Sequence, residues 1–420
     1  MSNYTDGRLH RKVGLIAAAG ICLLAPAILA ANRSTDAAPA PATAPTLSPD
    51  LQDEILRGGR AGFVATDFAY ALGPDAKDST ACPAGLTGGV RALVEGLRKL
   101  PPGQRREGEN DQTFERRLGR MVHTAADGRN LCMNPEAGLP DPNWRMVMGS
   151  SVKVGGIDLD GGNKPAANSC GQKDFLGTDG RPGVDNQFYR VVGCMTGFQS
   201  TGQANLYQTE MLTGSWGILI SLDKVENLTN DPDIEVTISA NADPIQLSAD
   251  RKPLAFATYA LDRDPRYRAV TRGRIVGGVI TIDPADVRFH SVVNGAYSDR
   301  VLRDARLRLV VNPDGSLEGH LAGFTPIDDM YDVQFGARSA KTAKGELAPE
   351  RARLNTSMGR AGALGYSCNG AYHAMRQAAD GHPDANGHCT SISTQYRIRM
   401  IPAFVVQTKT QSVNAPLTVR

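Results

Sequence analysis

The chain has 420 residues, 46 Lys and Arg against 44 Asp and Glu, a formal net charge of +2, and 41% hydrophobic residues. That near-neutral balance offers no electrostatic basis for binding nucleic acid or an anionic membrane surface. With 45 glycines and 25 prolines, the chain holds more turn formers than an all-helical protein would tolerate.

The N-terminal residues carry Arg8, His10, Arg11 and Lys12, followed by an apolar run from Val13 to Ala30 and small residues at Ala30 and Ala31. Basic, then apolar, then small is the order of a secretory signal peptide, here over residues 1–30. The competing reading is an uncleaved membrane anchor, since the run is just long enough to span a bilayer. Pro26 and the small residues favour cleavage. Ile21 stands where lipoprotein processing before Cys22 needs a small residue, and Arg11-Lys12 is not a twin-arginine pair, so the general secretory route is expected. The expected location is periplasmic or secreted. Any contact with a membrane would run through this segment alone, if it stays uncleaved.

Residues 31–49 are Ala, Pro and Thr with almost nothing to bury, as in Ala37-Ala38-Pro39-Ala40-Pro41, and read as an extended tether. Residues 50–150 form a helical N-terminal region. Val90, Leu93, Val94, Leu97 and Leu100 recur at helical spacing before Pro101-Pro102, and Phe114, Leu118, Met121 and Val122 do the same.

Residues 151–345 change to short β-type segments: Gly217 to Leu222, Ile234 to Ser239, Ala269 to Ile282, and Leu307 to Val311 with Leu317 to Leu321. The last two are joined across Asn312-Pro313-Asp314-Gly315, a strong hairpin signal. Residues 346–420 add one short helix, about Gly370 to Ala379, and a final apolar strand from Tyr396 to Val406. The fold class expected is mainly β, an antiparallel sandwich or jelly roll with a small helical N-terminal region, α+β overall.

Export decides how the cysteines are read. Without residues 1–30 six remain, Cys82, Cys132, Cys170, Cys194, Cys368 and Cys389, an even number that reads as three disulfides. They fall into three successive couples, each inside one compositional region. Sequential pairing is therefore expected: Cys82 with Cys132, Cys170 with Cys194, and Cys368 with Cys389.

Chemistry-bearing motifs are mostly absent. The chain lacks a Gly-x-Ser-x-Gly elbow, a phosphate loop, a dinucleotide fingerprint and a His-Glu-x-x-His helix. The most informative stretch runs from Asp158 to Cys194, where Asp158, Asp160, Asn163, Asp174, Asp179 and Asp185 crowd among glycines. Like charges on a compact loop repel one another unless a hard cation or backbone donors hold them, which points to calcium. Asp158-x-Asp160-Gly-Gly-Asn163 resembles the start of a calcium loop. It departs from the EF-hand pattern at Gly162, where a third ligand belongs, and at Ser169, where the bidentate glutamate belongs. The competing reading is that these aspartates cap turns through their own backbone amides.

Two further constellations stand out. Cys368, His373, His382, His388 and Cys389 offer zinc-type ligands, against which a disulfide would use both sulfurs. His382-x-Asp384-x-Asn386-Gly387 resembles half a calcium loop, or equally a turn after the helix. Phe188, Tyr189, Phe198, Tyr207 and Trp216 could supply aromatic faces to a sugar ligand, although aromatics in strands more often form the core. The expectation is an exported, disulfide-stabilised binding or structural module with calcium as cofactor and a carbohydrate or another exported protein as partner. The alternative is a secreted hydrolase or an accessory subunit of a periplasmic enzyme.

Overall fold

The computed structural model describes residues 47–407, apart from 79, 100, 150, 162–168, 201, 203–210, 213–215, 242 and 294. The expected signal segment and all but the last residues of the expected tether lie outside the described residues.

The strands, in chain order, are β1 (Arg60–Tyr70), β2 (Lys153–Val154), β3 (Phe175–Gly177), β4 (Pro182–Val184), β5 (Ile218–Asp223), β6 (Asp231–Ala240) and β7 (Ala257–Ala260). They continue with β8 (Arg268–Val276), β9 (Val279–Ile282), β10 (Ala285–Val293), β11 (Ala296–Val311), β12 (Leu317–Pro326), β13 (Gly381–Pro383) and β14 (Cys389–Val406). The helices are α1 (Pro49–Ile55), α2 (Gly89–Arg98), α3 (Asp111–Val122), α4 (Gln187–Val192), α5 (Ile327–Tyr331), α6 (Glu350–Leu364) and α7 (Cys368–Ala378).

Eleven strands make one sheet and β2, β3 and β4 a small second one. In the large sheet each of β1, β5, β6, β8, β9, β11, β12 and β14 pairs antiparallel with the next, and β14 pairs antiparallel with β1. The circuit is therefore closed, an up-and-down arrangement in which neighbours in space are neighbours in chain order. The expected mainly β, α+β architecture is what the structure shows. Its large sheet closes on itself through the β1–β14 pairing. The compositional regions share that sheet, since β1 from the first lies between β5 from the second and β14 from the third.

Most predicted elements are present. The hairpin across Asn312 to Gly315 joins β11 to β12 with Val311 opposite Leu317. The predicted strand over Ala269 to Ile282 is two strands. Gly277 and Gly278 have φ of +57° and +74°, which only a residue without Cβ adopts readily, and they form a two-residue turn between β8 and β9. β9 and β10 then run one after the other along the long β11.

The interior is apolar and close-packed. Phe63, Ile220, Leu309, Leu321 and Met400 are all fully buried, each such side chain stabilising the fold by about 1.5 to 3 kcal/mol. Phe68 stacks on Tyr396 with centroids 4.4 Å apart and meets Trp216 and Phe289 edge-on at 5.5 Å. One cation is buried within this wall. The Arg300 guanidinium donates to the Ser291 hydroxyl at 3.0 Å and to the Tyr70 and Tyr396 hydroxyls at 3.1 and 3.0 Å. A buried charge needs such partners to remain tolerable.

The disulfides correct the expected pairing. They are Cys82–Cys194, Cys132–Cys368 and Cys170–Cys389, with Cα–Cα separations of 5.7, 4.8 and 6.1 Å. Sequential pairing assumed that each compositional region folds on its own. Because the sheet weaves the regions together, each bridge instead joins two of them. The loops closed span 112, 236 and 219 residues, so each bridge contributes about 5 kcal/mol by loop-closure entropy.

The seam between β1 and β14 leaves no room at Gly62. A Cβ there would lie 2.5 Å from the Ala403 carbonyl oxygen and 2.8 Å from Val405 Cγ2. Gly62→Val is expected to lower stability by about 2 kcal/mol, as overpacking does, in denaturant unfolding. A variant as stable as the parent would contradict the tight seam.

Candidate metal centre

The acidic segment folds against the first half of β14. Gln395 fastens it from below: its side-chain amide donates to the carbonyls of Ile157 and Asp185 at 2.7 and 2.6 Å and accepts from Ile157 N–H at 3.1 Å. The Cys170–Cys389 bridge ties the far side of the segment to the start of β14. Next to it Cys170 N–H donates to the Asp380 carbonyl at 2.8 Å.

Within this frame Asp158, Asp160 and Asp185 converge. Each offers a carboxylate oxygen, and these oxygens all lie within 4.8 Å of one another. Two oxygens bound to one calcium at 2.3 to 2.6 Å can stand no farther apart than about 5 Å, so the spacing suits that ion.

The turn-capping reading also describes part of what these groups do. Asp158 Oδ1 accepts from the N–H groups of Asp160 at 3.1 Å and Gly161 at 2.6 Å. Asp160 Oδ2 accepts from the Ser169 hydroxyl at 2.9 Å, and Asp185 Oδ2 from Leu159 N–H at 2.6 Å.

Two more carboxyls join the group. Asp174 lies beside Asp185 and feels the charges of Asp160 and Asp158. Asp380, which sequence reading did not place in this set, is buried behind them and accepts from Ser393 N–H at 2.7 Å. No sequence signal ties Asp380 to Asp158, because they belong to different regions and meet only through the register of β14.

Burial drives the electrostatics. It pushes Asp185 up to about 9, the Leu159 N–H opposing and the charges of Asp174, Asp160 and Asp380 adding to the effect. Asp174 is also raised, chiefly by burial. Burial lifts Asp380 to about 7 against the hydrogen bonds from Ser393.

The remaining predicted ligands fall elsewhere. Asp179 is not brought to the centre: it caps its own turn, accepting from Arg181 N–H at 3.0 Å and Arg181 Nε at 2.6 Å. Asn163 lies outside the described residues. The zinc-type set is dispersed, since Cys368 and Cys389 are bridged to Cys132 and Cys170. His373 faces the Gly138 carbonyl at 2.7 Å, His382 faces Asp304 at 3.3 Å and His388 faces Asp384. Asp384 caps a turn by accepting from the N–H groups of Asn386 and His388, as the turn reading of that stretch requires. Phe188, Tyr189, Phe198 and Trp216 are all buried and serve as core; Tyr207 lies outside the described residues.

The raised carboxyls fix the sign of a pH effect. A folded-state value above the unfolded one, near 4 for Asp, means that the folded protein holds more protons between about pH 4 and 9. Stability from these groups is therefore full below that window and falls as pH rises through it. In the presence of a chelator the melting temperature is expected to fall from pH 6 to pH 9. Asp185→Asn, which keeps an acceptor for Leu159 N–H, should flatten that slope. A parent curve that is level over this interval would contradict the assignment.

Compared with protein-family models, curated protein sequences and solved structures, the chain matches none of them.

Proposed function

We propose that the protein is an exported, disulfide-stapled binding module whose acidic segment takes up calcium. The observation that carries this reading is the convergence of the Asp158, Asp160 and Asp185 oxygens beside the half-buried Asp174 and the buried Asp380. Raised carboxyls at Asp174, Asp185 and Asp380 hold protons that an oxygen-seeking dication bound beside them would displace at neutral pH. Three disulfides bridging distant segments support an oxidising compartment. Among the described residues no helix is long and apolar enough to cross a membrane. The carbohydrate ligand loses the support of the aromatic residues that sequence offered for it, since the described ones are core.

Calcium should raise the melting temperature at pH 7, by the equivalent of about 2.7 kcal/mol at a hundredfold excess over its dissociation constant, and should release protons into unbuffered solution. Asp158→Asn and Asp160→Asn are expected to weaken the response, while Asp179→Asn and the exposed control Asp53→Asn leave it intact. A melting temperature indifferent to calcium and chelator alike would remove the metal and leave the aspartates as turn caps.

A further inference from the structure

A cavity of about 530 Å³ opens on another part of the barrel and shares no residue with the acidic centre. Its walls are β10, the start of β11, the loop of residues 262–267 that follows β7, and the turn of residues 341–345. Lys341 is positioned by backbone pairing with β11: its N–H donates to the Tyr297 carbonyl at 2.8 Å, and Tyr297 N–H donates back at 3.2 Å.

The lining is an ordered set of charged and polar groups. The Tyr267 ring lies against the His290 imidazole with centroids 3.8 Å apart, and His290 Nε2 is 2.9 Å from Asp262 Oδ2. The Tyr267 hydroxyl donates to Asp299 Oδ1 at 2.9 Å, while Asp299 Oδ2 faces Arg288 at 3.3 Å and Lys341 Nζ at 3.5 Å. Burial alone would raise Asp299, but the Tyr267 hydroxyl together with Lys341 and Arg288 holds it below the usual carboxylate value. Arg266 pairs with Asp264 at 2.6 Å.

One imbalance defines what would fit. On the lining three cations, Arg263, Arg266 and Lys341, balance three carboxylates, Asp262, Asp264 and Asp299, and Arg288 adds a partner to Asp299 from outside it. Each carboxylate already faces an internal partner, so the remaining hydrogen-bonding capacity is on the donor side. Arg263 lines the cavity, is exposed, and makes no hydrogen bond or ion pair among the described residues. Lys341 engages Asp299 with one of its three donors. The Ser298 hydroxyl, on the lining, is buried without a partner. A site whose cations are not all matched and whose spare capacity is in donors is complementary to a ligand group that only accepts.

We propose that this cavity binds a small molecule through an oxyanion, either the carboxylate of an organic acid or the phosphate of a phosphate ester, held by Arg263 and Lys341. The volume is that of ordinary small-molecule sites, about 300 to 1,000 Å³, so the ligand has a body beyond its anionic group. That body rests on the Tyr267–His290 pair. A neutral polyol would find the carboxylates already occupied and Arg263 still unmatched.

The test is calorimetric titration of the full chain, in low-salt buffer free of both anions, with inorganic phosphate, with acetate, and with glycerol as the neutral probe. At least one anion should bind and glycerol should not. Phosphate alone identifies a phosphate ester, and acetate alone an organic acid. Arg263→Gln and Lys341→Gln should each weaken binding about tenfold or more; replacing the exposed Arg263 should leave the melting temperature unchanged, whereas Lys341→Gln also gives up its pair with Asp299. Arg272→Gln, at an exposed arginine that pairs with Asp233 and does not line this cavity, should bind as the parent does. Binding of neither anion, binding that survives both substitutions, or tighter binding of glycerol would overturn the proposal. Because calcium is left out of the buffer, its result stands apart from that of the acidic centre.

Discussion

The pairing of the first strand with the last holds the rest of this structure in place. From Gly62 opposite Ala403 to Tyr70 opposite Tyr396, β1 and β14 close the circuit. Without that seam the sheet would present two unpaired edges, each a row of unsatisfied backbone groups open to other chains. β14 is also where other functions attach. It pairs with β12 on its other side, contributes Tyr396 to the aromatic interior, and carries Ser393 and Gln395 toward the acidic segment. The acidic centre therefore takes its geometry from the part of β14 just beyond the seam, where it pairs with β12, and the raised carboxyl values follow from burial there.

The disulfides serve the same end by a different route. The first compositional region is bridged to the second by Cys82–Cys194 and to the third by Cys132–Cys368, and Cys170–Cys389 joins the second to the third. Every pair of regions is thus tied once. The helical and loop-rich segments have little sheet of their own; Cys170–Cys389 anchors one of them to β14, and the other two bridges tie loop and helix segments to one another. The Cys170–Cys389 bridge holds the acidic segment at the start of β14, where its carboxyls are forced together despite their repulsion.

Local patterns carried much of this fold and none of its closure. α2, α3 and α7 were legible from helical spacing with a breaker, a cap or a turn at the end, and the β11–β12 hairpin from its Asn-Pro-Asp-Gly turn. β1 was hidden because it is buried along nearly its whole length, so it lacks the alternation that marks a strand with one wet face. α6 was hidden for the opposite reason. Its buried face includes Ser357 and Arg360, which bond to the Gly336 and Val333 carbonyls, so no apolar stripe appears. At the acidic centre, composition located Asp158, Asp160, Asp174 and Asp185, since a crowd of like charges is visible in one dimension. Asp380 and the charged cavity around Asp299 are assembled from distant segments, and only register brings them together.

The connectivity of the bridges has a consequence for how the molecule matures. A chain made from its N-terminus presents Cys82 and Cys132 together, long before their proper partners exist. Cys368 and Cys389 stand on α7 and β14, among the last elements to emerge, and β14 is the strand that shuts the barrel. Oxidation that runs ahead of synthesis therefore joins the wrong sulfurs and traps a loop the finished fold does not contain. Escape from such a bond needs a thiolate attacking it through a mixed disulfide, so this connectivity is reached directly only when oxidation waits until β14 is in place.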